Sequence, residues 1–254
     1  KKYFFIKDKD YRDRFQVFNI MKKEKKDIKL TINPSNFYFT KDQKYFPLSG
    51  ISNKETIHCN ESGYYSIYES DNYGFNNPKE EWNKDEIDLL LVGDSFTHGA
   101  CVNRPFDIAS QLRKNHNRTI LNLGYSGHGP LSELATLIEY LPEKKVKNVL
   151  WIYFEGNDLT DLMLEMKNPI LMKYLKDKDF NQNLFQSQKE LDDLIEKFFI
   201  EHSKSEKRAR LKNFFKLHNI RNFLQPIKFF RGKSITRQPK PPPEFKEILF
   251  RAKT

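Results

Sequence analysis

The sequence predicts an α/β fold, a parallel sheet covered by helices. Two observations carry this expectation. Three short apolar runs each stop at a glycine-bearing polar tip, and stretches of helical periodicity alternate with them over short links.

The first 86 residues carry no long helical period after residues 11–26, which are compatible with one helix. Turn signals recur at Asn33-Pro34, Ser49-Gly50, Ser62-Gly63, Tyr73-Gly74 and Asn77-Pro78. We read residues 1–86 as a β/loop-rich extension packed around the main domain, which spans 87–254. Ile87 to Val92 is an apolar run ending at Gly93, the pattern of a strand buried on both faces. A helix is predicted over 105–115, with Pro105 in its first turn. Thr119–Leu123 is the second strand and stops at Gly124. Residues 130–141 carry Leu134, Leu137, Ile138 and Leu141 at helical spacing, and Val146–Phe154 is the third strand, ending in Glu155-Gly156-Asn157-Asp158. A helical insertion follows over 159–231. There Leu191, Leu194, Ile195, Phe198 and Phe199 form one stripe opposite Glu190, Asp192, Asp193 and Glu196. The run Pro239-Lys240-Pro241-Pro242-Pro243 is an extended connector, and a last helix starts at 244.

The formal charge of +10 is localised. Residues 203–240 hold 12 Lys/Arg and a single acid, Glu206, which leaves the remainder of the chain nearly neutral. With no zinc-finger spacing and no RNA-binding aromatic signature, nucleic acid is not an expected partner. Residues 211–231 read first as an amphipathic lid helix and, more sharply, as a membrane-surface contact. No apolar run approaches the ~18 residues of a transmembrane helix. The two cysteines, Cys59 and Cys101, permit one bridge without implying it.

The chemistry points to the strand tips, because ligand sites of parallel open sheets gather at the carboxyl ends of strands. On one rim the sequence places Gly93-Asp94-Ser95-Phe96-Thr97-His98-Gly99, then Gly124-Tyr125-Ser126-Gly127-His128-Gly129, then Gly156-Asn157-Asp158. Ser95 stands where a strand turns into a helix, so its hydroxyl can project as a nucleophile near a helix N-terminus. Gly124 can offer a bare backbone N–H and Asn157 a carboxamide. Together with the Ser95 N–H they would form an oxyanion hole. Asp94 is expected to shape the turn and Asp158 to cap the next helix or brace the loop. His128 is a candidate substrate contact. His98 points awkwardly for Ser95, while His58, His116, His202 and His218 read most simply as solvated or structural. Against all this stands the plain alternative that Ser95 is only a helix-capping serine. No metal-ligand spacing, dinucleotide fingerprint or Gly-x-Ser-x-Gly elbow is present, so no metal and no cofactor are expected.

Residues 88–161 resemble the SGNH (GDSL-type) hydrolase superfamily. Its Gly-Asp-Ser block matches Gly93-Asp94-Ser95, its second-block glycine matches Gly124, and its Gly-x-Asn-Asp block is met by Gly156-Asn157-Asp158. The resemblance implies a three-layer α/β/α domain with a flavodoxin-like parallel sheet and Ser95 as nucleophile. Gly124 and Asn157 would then serve as oxyanion donors. It implies a serine esterase acting on small acyl esters, acetyl groups on carbohydrate being the favoured class, with a lean to the bacterial cell envelope. O-acetyl transfer to a surface polysaccharide and a catalytically inactive glycan-binding module are the alternatives. One block is missing: no Asp in the sequence has a His three positions later. The base is therefore expected beyond Thr254, and the chain alone is expected to be inactive or nearly so.

Overall fold

The computed structural model describes residues 9–24, 27–40, 43–215 and 240–252, with residues 142 and 202–215 described as backbone only. From residue 216 onward the basic stretch 211–231 lies outside the described residues.

The N-terminal extension holds one helix, α1 (Arg14–Glu24), and a small sheet of β1 (Lys29–Leu30), β2 (Glu55–Ile57) and β3 (Ile67–Glu69). β1 pairs parallel to β2, and β2 pairs antiparallel to β3. Next come β4 (Glu86–Ile87), β5 (Leu89–Gly93), a one-turn helix α2 (Ser95–His98), α3 (Ile108–His116) and β6 (Ile120–Asn122). α4 (Pro130–Tyr140), β7 (Lys145–Val146) and β8 (Val149–Ile152) complete the strand–helix alternation. The helices α5 (Asp158–Glu165), α6 (Pro169–Lys176), α7 (Gln188–Phe215) and α8 (Pro243–Arg251) follow.

The α/β class is borne out. β6, β5 and β8 form a parallel sheet with β5 in the centre, and β4 pairs parallel to β7. Alternation along β5 explains why helices cover both faces. Leu91 packs with Ala109 of α3 and Ile120, whereas Leu90 and Val92 face Leu134 and Leu137 of α4. Leu90, Leu91 and Val92 are fully buried, each stabilising by roughly 1.5–3 kcal/mol. The third strand is shorter than its apolar run. It ends at Ile152, and as an edge strand it leaves Val149 and Leu150 half-exposed, not buried on both sides.

The extension shares the main core. Phe37, Phe46, Leu48, Phe75 and Trp82 lie in one buried cluster with Leu90, Leu121 and Leu134. Its attachment is polar as well as apolar. Asp71 is fully buried and accepts from Tyr73 N (2.8 Å), Phe75 N (3.0 Å), Asn77 Nδ2 (2.7 Å) and Trp82 Nε1 (2.7 Å). Asn77 in turn donates to the Asn122 carbonyl and accepts its N–H, at 2.8 and 2.9 Å. Gly74 makes this turn feasible: it adopts φ +82, and a Cβ there would lie 2.0 Å from the Gly50 carbonyl oxygen.

Cys59 and Cys101 are joined by a disulfide across 42 residues, tying the extension to the loop after α2. Cross-linking a loop of that length restricts the unfolded chain by about 4 kcal/mol in the chain-entropy model. Replacing both cysteines with alanine is expected to lower the unfolding free energy by about 2–4 kcal/mol in urea titrations. No change would mean that the extension is already fixed by its other contacts.

Candidate active site

The first tip is built by local rules. β5 ends at Gly93, and Asp94 caps α2, its side chain accepting Phe96 N–H at 3.0 Å. Gly99, in the left-handed region at φ 78, closes the helix after a single turn. The expected helix dipole behind Ser95 is therefore that of one turn, although the capped turn still sets the direction of the serine. Ser95 is partly exposed, and its Oγ lies 3.3 Å from Asp94 Oδ2. Asp94 thus shapes the turn, as expected of it.

Buried amides hold this turn from behind. Asn122 Nδ2 donates to the Thr97 carbonyl at 2.7 Å, and Asn76 Nδ2 donates to the His98 carbonyl at 2.9 Å. The chain Asp71–Asn77–Asn122–Thr97 runs without a break from the extension to α2.

The second tip crosses directly over α2. A Cβ on Gly124 would lie 2.4 Å from Thr97 Cβ and 2.8 Å from His98 N, so only glycine fits. Its N–H, however, donates to Asn122 Oδ1 at 2.9 Å and is not free in this structure. The Asn157 amide is likewise engaged, donating to Asp161 Oδ2 at 2.6 Å. The third tip lies against the first, since Phe154 packs on Phe96 with ring centroids 4.7 Å apart. Asp158 is buried and braces its loop by accepting Phe154 N–H. Burial, with Asp94, Asp161 and Glu165 nearby, pushes its carboxyl up to about 7. Glu133, beneath the same rim, is pushed well above the carboxylate range by burial and then by Asp158.

A cleft of 570 Å³ opens beside Ser95. Ser95, Phe96 and Phe106 line it from the sheet domain, Arg14 and His58 from the extension, and Ser126 from the second tip. Gly124 and Asn157 are not among its lining residues. Phe106 is 73% and Phe96 55% exposed, so two aromatic faces are presented to whatever enters.

One histidine expectation is corrected. His128 is fully buried and cannot touch substrate; it packs beside Tyr125, and burial pulls its imidazole down to about 3. Of the two readings open for His58, solvated or structural, its burial fits the second. It is 5% exposed, and its Nε2 lies 2.9 Å from Ser126 Oγ. His98 points away from Ser95 toward Ser126, whose N–H donates to His98 Nδ1 at 3.0 Å. His116 is exposed, as expected. The sequence did hold one signal for His58. It precedes Cys59, and a Cys59–Cys101 bridge would draw it to the residues after Gly99.

The buried histidines set a pH prediction. An imidazole that is neutral when folded but titrates at 6.5 when unfolded lets the unfolded chain bind more protons below pH 6.5, so stability falls with falling pH. Asp158, Glu165 (both near 7) and Asp71 (near 6), all raised by burial, act in the opposite direction over the same range. His128→Leu removes one histidine from this balance. Relative to wild type, it is expected to gain about 2 kcal/mol between pH 7 and pH 5 in urea unfolding. A difference independent of pH would place the His128 imidazole in contact with water.

Among the described residues no three His, Cys, Asp or Glu side chains converge to hold a metal ion, and no helix is long and apolar enough to cross a membrane. Comparison with known proteins returned no matching family model, no matching curated protein and no matching solved structure.

Proposed function

We propose that this chain is built on an SGNH-type hydrolase domain and is a serine esterase for small acyl esters, acetyl groups on carbohydrate being the favoured substrates, with Ser95 as nucleophile. The observation that carries the reading is the position of Ser95. It stands at the tip of the central parallel strand, on a capped turn that opens into a cleft. The strand order β6-β5-β8, with the first strand of the alternation in the middle, is compatible with a flavodoxin-like sheet.

In this reading Ser95 Oγ attacks the ester carbonyl while its proton passes to the histidine base that the resemblance implies. That proton goes to the departing alcohol, and water, deprotonated by the same base, releases the acyl group and restores the serine hydroxyl. By resemblance Gly124 N–H and the Asn157 amide hold the oxyanion. To do so they must give up Asn122 Oδ1 and Asp161 Oδ2, a rearrangement that substrate binding would have to drive. Phe96 and Phe106 supply apolar faces against which the C–H face of a sugar ring can pack. The Cys59–Cys101 bridge suits an oxidising compartment, in keeping with the cell envelope.

The test is acetate release from an acetylated oligosaccharide by the full-length protein, with and without an acceptor glycan. Free acetate supports the esterase, whereas acetate recovered on the acceptor would make it a transferase. No turnover of any acyl ester would remove the reading.

A further inference from the structure

We propose that Ser126 and His58 form a second nucleophile–base pair in the cleft, able to attack an acyl or phosphonyl electrophile independently of Ser95. The inference does not rest on the Ser95 reading, because it uses a different hydroxyl and a base supplied by the N-terminal extension.

The geometry is that of an activated serine. Ser126 Oγ and His58 Nε2 are 2.9 Å apart, within the range in which an imidazole takes a hydroxyl proton. A second ring lies close to the same hydroxyl, with His98 Nδ1 3.1 Å from Ser126 Oγ. The Ser126 N–H already donates to His98 Nδ1, so that nitrogen is an unprotonated acceptor with its lone pair occupied. With His58 in the tautomer that leaves Nε2 unprotonated, the Ser126 hydroxyl donates to it at 2.9 Å. His58 is held in place from several sides. Its ring lies 4.4 Å from that of His98 and meets Tyr68 edge-on, and the His58 backbone N–H donates to the Ser66 carbonyl at 2.9 Å. The next residue is bridged to Cys101. Burial, assisted by Arg14, pulls the imidazole down to about 4, so it is neutral and able to accept a proton at pH 7. Both side chains line the cleft, so an electrophile can reach the pair.

The step balances within these groups. Ser126 Oγ bonds to the electrophilic carbon or phosphorus while its proton passes to His58 Nε2, and the bond to the leaving group breaks. An alkoxide leaving group takes that proton back. Water then attacks the acyl-serine, gives its proton to His58, and Oγ leaves as a hydroxyl.

The experiment is labelling of the full chain with a fluorophosphonate, in which the P–F bond breaks and fluoride leaves, followed by peptide mapping of the adduct. A phosphonyl group is expected on Ser126 in wild type and equally in Ser95→Ala. His58→Gln is expected to slow Ser126 labelling by on the order of 10²-fold or more, the usual contribution of a positioned base. Because His58 is buried, His58→Ala is tested as well: recovery of labelling with added imidazole shows a folded protein that lacks only its base. Adducts on Ser95 but never on Ser126 would overturn the proposal and leave the esterase reading standing. Adducts on Ser126 alone would support the pair and count against Ser95. Equal Ser126 labelling in wild type and His58→Gln would overturn the role of His58.

Discussion

Replacing Ser95 with alanine in the full-length protein is expected to lower kcat on an acetylated substrate by on the order of 10³-fold or more, with little change in thermal midpoint. Both halves of this expectation have a physical basis. The hydroxyl is the group to which the acyl chain is transferred, and no other atom of the one-turn helix can replace it. The fold loses little, because Ser95 Oγ makes one long contact, 3.3 Å to Asp94 Oδ2, and the cap of α2 comes from Asp94. If acetate release by Ser95→Ala matched wild type, Ser95 would be a plain capping residue. Residual turnover that disappears in the Ser95→Ala/Ser126→Ala double variant would instead assign it to the second serine.

Asp71→Ala is expected to be the most destabilising single change in the extension, lowering the unfolding free energy by about 4 kcal/mol or more. It removes the acceptor of four donors at once: two backbone N–H groups, the Asn77 amide and the Trp82 indole, all in a fully buried setting. Each buried donor left without an acceptor costs roughly 1–3 kcal/mol, and losing one member of a buried charged network typically costs about 3–5 kcal/mol. The loss should also spread to the rim. Asn77 would be released from Asp71 while it holds both backbone groups of Asn122, and the Asn122 side chain holds Thr97 of the serine-bearing turn. Amide hydrogen exchange should therefore rise at Phe75 and at α2 together. A variant within 1 kcal/mol of wild type in urea unfolding would show that the hub is not structurally important. Asp71→Asn, which keeps one acceptor oxygen, is expected to fall between the two.

How the rim was legible in the sequence differs from tip to tip. The positions of Ser95, Gly124 and Asn157 at strand ends followed from apolar runs stopped by glycine, a signal that depends only on neighbouring residues. The turn shaped by Asp94 is equally local, whereas the close packing that requires glycine at 124 comes from Thr97 and His98 of another segment. Distant hydrogen-bond destinations were not legible. The bond from Gly124 N–H to Asn122, two residues earlier, is a local Asx-type contact, but nothing nearby announces that the same side chain donates to Thr97, 25 residues earlier. His128 read as a rim residue because its loop is a rim loop. Its side chain turns inward beside Tyr125, a choice that periodicity does not report.

By itself the sequence determined the α/β class, the parallel strand–helix alternation and the three polar tips, because period, turn residues and caps act over a few positions. Only the tertiary structure decided which distant groups meet. The Cys59–Cys101 bridge, the Asp71 hub and the 2.9 Å approach of His58 to Ser126 join residues 42, up to 11 and 68 positions apart. Such contacts arise when the extension buries its aromatic residues against the sheet, and the depth of that packing is set by the whole core and not by any one segment.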